Sequence, residues 1–488
     1  MGEPTSRQVA APSLADALIP LGALAVLIAG SLALFGLDAL DGPIQVALVL
    51  ACAVAALVAM KNGHPFSAVQ EAGRGALASV TSAIFILLAV GALIGVWNLS
   101  GTIPTLVYYG IQILSATWFY AATALICAVV ALSIGSSWTT AATIGVGLVG
   151  IATMIGVSPA ITAGAVISGA YLGDKTSPLS ETTILTAQVA KVEVHEHIKR
   201  QVWTSAPAFA IALVVFVVLG FTRPDTVSDV ATESDLAQLD TVYSITPWAL
   251  LPVVLLAVLS ARKVPASLAL LASTLFAGVL GAFLQPSVYR DFVSGAGNTA
   301  VESLTAIWSA MATGFDIDTG IEDVDRLLSR GGMDSMLLTI WLIIGAVTFG
   351  AMLEEFGLIT RLVAPLIASA RSTGRLFLTV FGCGFGLNLV AGDQYIALVL
   401  PGRIFRAEFE RRGLAPTNLS RLAADSATVT SPLVPWNSCG AFMGATLGVS
   451  TLLYAPFAVF CYASPALSVL YGFTGFRIER MTPVKEDA

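Results

Sequence analysis

Gly169-Ala170-Tyr171-Leu172-Gly173-Asp174-Lys175-Thr176-Ser177-Pro178-Leu179-Ser180-Glu181-Thr182-Thr183 interrupts a hydrophobic stretch of the chain with two carboxylates, a lysine, five serine and threonine hydroxyls and a proline. Its core, Thr176-Ser177-Pro178-Leu179, recurs 254 residues later as Thr430-Ser431-Pro432-Leu433. Both copies stand where a membrane helix should run unbroken. A break in a bilayer exposes main-chain groups that lipid cannot satisfy. Two such breaks, one per half of the chain, are expected of a secondary transporter built from repeats.

The composition fixes the solvent. The 488 residues are 56% hydrophobic and 11% charged, with a mean hydropathy of +0.85. Soluble domains carry about 25% charged residues, so an all-α polytopic membrane protein is expected. Helix-length apolar runs fall at about 17–37, 43–60, 77–98, 203–222, 246–261, 266–284, 335–353 and 450–471. The five cysteines lack metal or redox spacing and read as small buried hydrophobes. No cleavage site precedes the first run, which is expected to remain as an anchor. The net charge of −7 gives no reason to expect a nucleic-acid partner, and no cofactor is expected.

Self-similarity organises the chain. Ala17-Leu18-Ile19-Pro20 resembles Ala249-Leu250-Leu251-Pro252, Gly101-x-Ile103 matches Gly357-x-Ile359, and Gly156-x-x-Pro159 matches Gly413-x-x-Pro416. The chain then divides into repeat one (14–222), an acidic external connector (223–245), repeat two (246–476) and a cytoplasmic tail (477–488). Lys61, Arg74, Lys191, Lys199, Arg200, Arg262, Lys263, Arg361, Arg371, Arg375, Arg403, Arg406, Arg411 and Arg412 fall in loops of one parity; the connector and the stretch 286–334, with eight acids against three bases, fall in the other. The positive-inside rule places the basic set, and both termini, in the cytoplasm. Repeats of about five spans each are then inverted. Each is expected to hold a hairpin and a broken helix. The hairpins run from about 116 to 156, turning at Gly135-Ser136-Ser137, and from Arg375 to Arg406, turning near Gly392-Asp393-Gln394. Two full spans are the alternative for each.

The ionisable residues of the breaks carry the functional expectation. Pro178 removes an amide donor and frees a carbonyl. With Asp174, Thr176, Ser177, Glu181, Thr182 and Thr183 this makes a set of hard oxygen ligands suited to Na⁺. A salt bridge from Asp174 to Lys175 or a remote arginine is the structural alternative. The second break offers Asp425, Thr430, Ser431 and Asn437; in motif register Glu181 aligns with Pro435 and Thr183 with Asn437. Asp393 and Gln394 face Ser136 and Ser137 across the pseudo-symmetry, with helix capping as the alternative role for Asp393. Glu354 and Glu355 read as interfacial. His195 and His197 point to different helix faces and read as a solvated loop.

The run Gly164–Thr183 resembles the signature of the NhaC family of Na⁺/H⁺ antiporters, as do Gly392-Asp393-Gln394-Tyr395-Ile396-Ala397 with Leu400-Pro401-Gly402-Arg403, and Thr428–Gly440. The resemblance implies an antiporter of the cytoplasmic membrane, kin to elevator-type carriers and usually dimeric. The family commonly has Asp where this chain has Glu181, and some members exchange organic or amino acids. The expected function is Na⁺/H⁺ antiport with both ions competing at Asp174 and Glu181. The alternative is an Na⁺- or H⁺-coupled carrier of an organic or amino acid, with Lys175 and Asn437 recognising the solute. A channel lacks a ring of like charges, and a membrane enzyme lacks a base beside Ser168.

Overall fold

The computed structural model describes residues 9–222, 239–294, 299–320, 324–325 and 328–481. Most of the acidic connector and the end of the tail lie outside these residues. The described chain is helical, with two isolated β-bridges, Phe315 with Arg330 and Leu414 with Arg480. Eight of its helices are long and apolar enough to cross a membrane.

The first half begins with α1 (Leu14–Phe35), α2 (Pro43–Lys61) and α3 (Phe66–Leu99). A shorter helix, α4 (Thr102–Ile113), follows at Gly101, whose φ of 76° is the left-handed conformation that glycine accepts at little cost. The expected hairpin is α5 (Phe119–Ile134) and α6 (Ser137–Met154), turning at Gly135 and Ser136. The broken helix is α7 (Pro159–Thr176) and α8 (Glu181–Ala190), and α9 (Val194–Phe221) closes the half.

The second half is also helical. It runs through α10 (Pro247–Ala261), α11 (Ala266–Leu284), α12 (Thr299–Thr313), α13 (Leu337–Glu355) and α14 (Leu358–Ser369). Gly357 starts α14 with φ 70°, as Gly101 starts α4. The second hairpin is α15 (Thr373–Val390) and α16 (Gln394–Ile404). The second broken helix is α17 (Pro416–Ala423), extended by a π-helical turn at Ala424–Thr428, then α18 (Ser438–Leu447). A 93° bend leads to Thr451–Phe457 and α19 (Val459–Thr474).

Contacts sort the loops into two groups. Ala10 bonds Asn62, the His64 and Phe356 rings lie 4.7 Å apart, Arg412 donates to the Ala370 carbonyl, and Arg200 pairs with Glu479 at 2.5 Å. In the other group Ser244 and Gln285 exchange hydrogen bonds of 2.9 and 3.0 Å, and the insert around Gly332 bonds the Gly91 carbonyl of α3.

Three sequence expectations change. Helix α12 and the short helix Pro286–Phe292 occupy a stretch read as loop, because that stretch covers the glycine-rich face of α3. His197 is not solvated: it lies buried on α9, 3.4 Å from Gln201, one turn away. The first break is narrower than the polar island. Helix α7 continues through Asp174 and Thr176, because Gly169 and Gly173 serve close packing on α5 rather than unwinding. A Cβ on Gly169 would stand 2.2 Å from the Ala124 carbonyl oxygen.

Gly169→Val should therefore force α5 and α7 apart and cost about 1–3 kcal/mol or more. Gly386→Ala on α15, where nothing lies within 4 Å of the new Cβ, should be neutral or stabilising by about 0.4–1 kcal/mol. Thermal unfolding in detergent reads both; equal losses would contradict the packing role.

Candidate functional site

The first break forms because Pro178 has no N–H to extend α7, and Ser180 restarts the helix by accepting from the Thr183 N–H. The loose main chain is satisfied locally. Ser177 Oγ donates to the Leu132 carbonyl at 2.8 Å, and Thr183 Oγ1 donates to the Asp174 carbonyl at 2.9 Å. The hairpin turn closes over the break, since a Cβ on Gly135 would lie 2.6 Å from the Leu179 carbonyl carbon.

Asp174 is buried at this junction and accepts only from hydroxyls. Ser137 Oγ donates to Oδ2 at 2.7 Å; Ser180 Oγ and Thr182 Oγ1 donate to Oδ1 at 2.7 and 3.1 Å. Among the described residues it has no ion pair. The neighbouring Lys175 points elsewhere: it pairs with buried Asp425 on the π-helical turn and donates to Ser464 at 2.7 Å and Thr204 at 3.3 Å. Thr204 and Ser464 also donate to Asp425. Adjacent residues thus serve two centres, one carboxylate held by hydroxyls and one ion pair joining the two halves.

The second break is a cage of neutral oxygens and amides. Asn388 of α15 donates to the Ala427 carbonyl at 2.7 Å and Thr430 Oγ1 at 2.9 Å. Ser431 Oγ donates to Gln394 Oε1 at 2.8 Å, and Tyr454 donates to the Pro432 carbonyl at 2.7 Å. Asn437 caps α18 and bonds Asn388. The motif register is corrected here. Ser180 and Asn437 hold the same capping position, so Ser438, not Pro435, stands where Glu181 does. Val434-Pro435-Trp436 lengthen the second break by three residues.

A cavity of about 530 Å³ joins several of the expected residues: Asp174, Glu181, Thr182, Ser136, Ser137, Asp393 and Gln394 line it, with Lys263 the one base among the described lining residues. Glu181 is exposed there and accepts from Tyr395 Oη at 3.2 Å. Asp393 caps α16, accepting from the Tyr395 and Ile396 N–H groups at 2.8 and 3.0 Å. Thr176 bonds its own helix at Leu172, and Ser136 caps α6. Asp425, Thr176, Ser177, Thr183, Thr430, Ser431 and Asn437 do not line this cavity. The sequence expectation omitted Ser180, Tyr395, Asn388, Thr204 and Ser464. Asn388 had a signal, a lone amide in the apolar run 376–391; the others are fixed by tertiary contacts.

These features define a polytopic membrane protein that encloses a polar centre at a helix break. The family model of the Na⁺/H⁺ antiporter family matches residues 9–221 and 169–476. The chain is 38% identical over 397 residues to the Na⁺/H⁺ antiporter NhaC of Alkalihalophilus pseudofirmus, covering 81% of this chain and 82% of that one. It is 33% identical over 433 residues to the Na⁺/H⁺ antiporter NhaC of Bacillus subtilis, covering 88% and 92%. It is 32% identical over 470 residues to the malate-2H⁺/Na⁺-lactate antiporter of Bacillus subtilis, covering 96% of each. The chain belongs to the Na⁺/H⁺ antiporter family, which makes it a transporter rather than an enzyme.

Breaking a buried ion pair costs about 3–5 kcal/mol, whereas an apolar pair of similar volume is often neutral. Asp425→Leu should therefore lower the unfolding midpoint sharply, and Lys175→Met with Asp425→Leu should recover most of the loss. A double variant as unstable as the single would contradict a mainly structural pair.

Proposed function

We propose that the protein exchanges Na⁺ for H⁺ across the cytoplasmic membrane by alternating access, with both ions competing for Asp174. The observation that carries this reading is a buried carboxylate with three hydroxyl partners and, among the described residues, no ion pair. Either ion neutralises the charge, and the empty charged form is costly to move through low dielectric. Glu181, Ser136, Asp393 and Gln394 line the approach. Thr176, Ser177, Thr183, Thr430, Ser431 and Asn437 keep the breaks intact beside it, and Asp425 acts through Lys175.

Inverted repeats complete the proposal, with boundaries at 14–222 and 246–476. The paired glycines that start α4 and α14, the hairpin turns at Gly135 and Gly392, and the caps Ser180 and Asn437 support it. In the orientation given by the basic loops, with both termini in the cytoplasm, the cavity beside Lys263 opens inward. By family resemblance the unit is a homodimer.

A second reading, a coupled carrier of an organic or amino acid, is supported by cavity size, since pockets for small organic solutes hold about 300–1,000 Å³. Three lining carboxylates against one lysine argue against a dicarboxylate. Lys175, committed to Asp425, does not line the cavity.

In vesicles with an internal pH dye, Asp174→Asn should abolish Na⁺-driven proton flux while leaving insertion and unfolding unchanged. Wild-type apparent Na⁺ affinity should improve with pH by up to about tenfold per unit, as one-proton competition requires, and then level off. A constant that stays flat between about pH 6 and 9, a range wide enough to cross a perturbed carboxylate, would instead favour the coupled carrier.

The topology is tested in a background without the five native cysteines. Single cysteines at His195 and Arg411 should react with an impermeant reagent only from the cytoplasm, and one at Asp38 only from outside. Labelling of position 411 from outside would overturn the orientation.

A further inference from the structure

On the opposite side of the second break from the cavity lies a separate crevice of about 360 Å³. The 3₁₀ turn Gly36–Asp41, α2, α13 and α18 enclose it. Its mouth carries Asp38 and Asp41, both exposed; no lysine or arginine is among its described lining residues, and the Arg330 guanidinium abuts the lining at Gly448. Deeper in sits Gln45, 1% exposed. Its amide nitrogen donates to the Leu40 carbonyl at 2.8 Å, while Oε1 has no hydrogen-bond partner among the described residues. Ser450 Oγ, also on the lining, is unpartnered too. A buried amide oxygen without a donor is costly unless something positive or a donor reaches it.

The floor of the crevice is the second break itself. Pro435 lines the crevice, and Ser438, three residues on, lines the cavity that holds Asp174. Between them stand the Asn388–Asn437 amide pair and the stacked rings of Trp138 and Phe442, 4.0 Å apart. Trp138 faces the cavity and Phe442 belongs to α18. The two hollows thus meet the same short partition from opposite sides.

We propose that this crevice is the outer half of the ion path: a vestibule that binds small monovalent cations through Asp38, Asp41 and Gln45 Oε1 and delivers them to the second break. This rests on the antiport reading and on its orientation. Carboxylates at the mouth of a narrow low-dielectric cleft concentrate cations and raise their rate of entry. The oxygen set is hard and suits Na⁺. The partition at Asn437 and the Trp138–Phe442 stack then separates two ion reservoirs, as exchange without leak requires.

The test uses the full-length protein in vesicles of defined orientation. With Na⁺ supplied from the crevice side at low ionic strength, Asp38→Asn with Asp41→Asn should raise the half-saturating concentration by about tenfold, the lower end of electrostatic focusing. Na⁺ supplied from the other side should be unaffected. The difference should vanish near 1 M of an impermeant salt, where the Debye length is about 3 Å. Gln45→Leu, which keeps the volume but removes both the orphan oxygen and the amide donor to the Leu40 carbonyl, should shift the same constant. Ala445→Cys, on the crevice lining, should react from outside faster with a cationic thiol reagent than with an anionic one, and the modification should stop exchange. Normal exchange with equal shifts from both sides, or no shift, overturns the vestibule and leaves the antiport reading standing. Loss of Na⁺-driven exchange in the unaltered protein would instead fail that reading, and the charge preference at Ala445→Cys still decides whether the crevice attracts cations.

Discussion

A helix interrupted inside a bilayer must find partners for its freed main-chain groups within the protein. That demand organises the centre of this molecule. At the first break, the Ser180 cap, the Thr183 bond to the Asp174 carbonyl and the Ser177 bond to Leu132 replace the lost helical bonds. At the second, Asn388 and Tyr454 do the same for Ala427 and Pro432. Three of these repairs draw on a hairpin or a bent helix, through Leu132 of α5, Asn388 of α15 and Tyr454. The breaks therefore fix where the hairpin turns end, and the turns place Ser136, Ser137, Asp393 and Gln394 around one cavity.

The same arrangement divides the charges. Successive residues on a helix point about 100° apart, so Asp174 and Lys175 at the end of α7 face different neighbours. Lys175 meets Asp425 and is neutralised. Asp174 meets Ser137, Ser180 and Thr182, which stabilise a carboxylate without supplying charge. A direct Asp174–Lys175 pair would have left nothing for an ion to do. Routing the lysine to the other half leaves Asp174 without an ion pair among the described residues and ties α7 to the π-helical turn that follows α17. The cost of burying the pair is offset by Thr204 and Ser464, whose hydroxyls satisfy Asp425.

Much of this is written in the sequence. Hydropathy locates most of the apolar runs, but α3 begins at Phe66 rather than near 77, α9 at Val194 rather than 203, and the run 450–471 is split between Thr451–Phe457 and Val459–Thr474. Gly135 and Gly392 mark both hairpin turns, because a left-handed residue beside serine or aspartate is a local signal. The breaks are legible from proline and hydroxyls. What is not legible depends on distant partners. Nothing near Lys175 announces Asp425, 250 residues away. Nothing in the motif shows that the second break is longer, because Val434-Pro435-Trp436 follow the repeated tetrapeptide without a gap signal. The role of Gly169 and Gly173 was ambiguous between packing and unwinding, and only the closeness of α5 decides it.

The central claim is that Na⁺ takes the place of a proton on Asp174. Calorimetric titration of the purified protein with Na⁺, in buffers of different ionisation enthalpy, counts the protons released on binding. The account predicts release approaching one proton per Na⁺ at pH values where Asp174 is protonated, and none in Asp174→Asn. Sodium binding without proton release across the whole pH range, or undiminished release from the Asn variant, would contradict it.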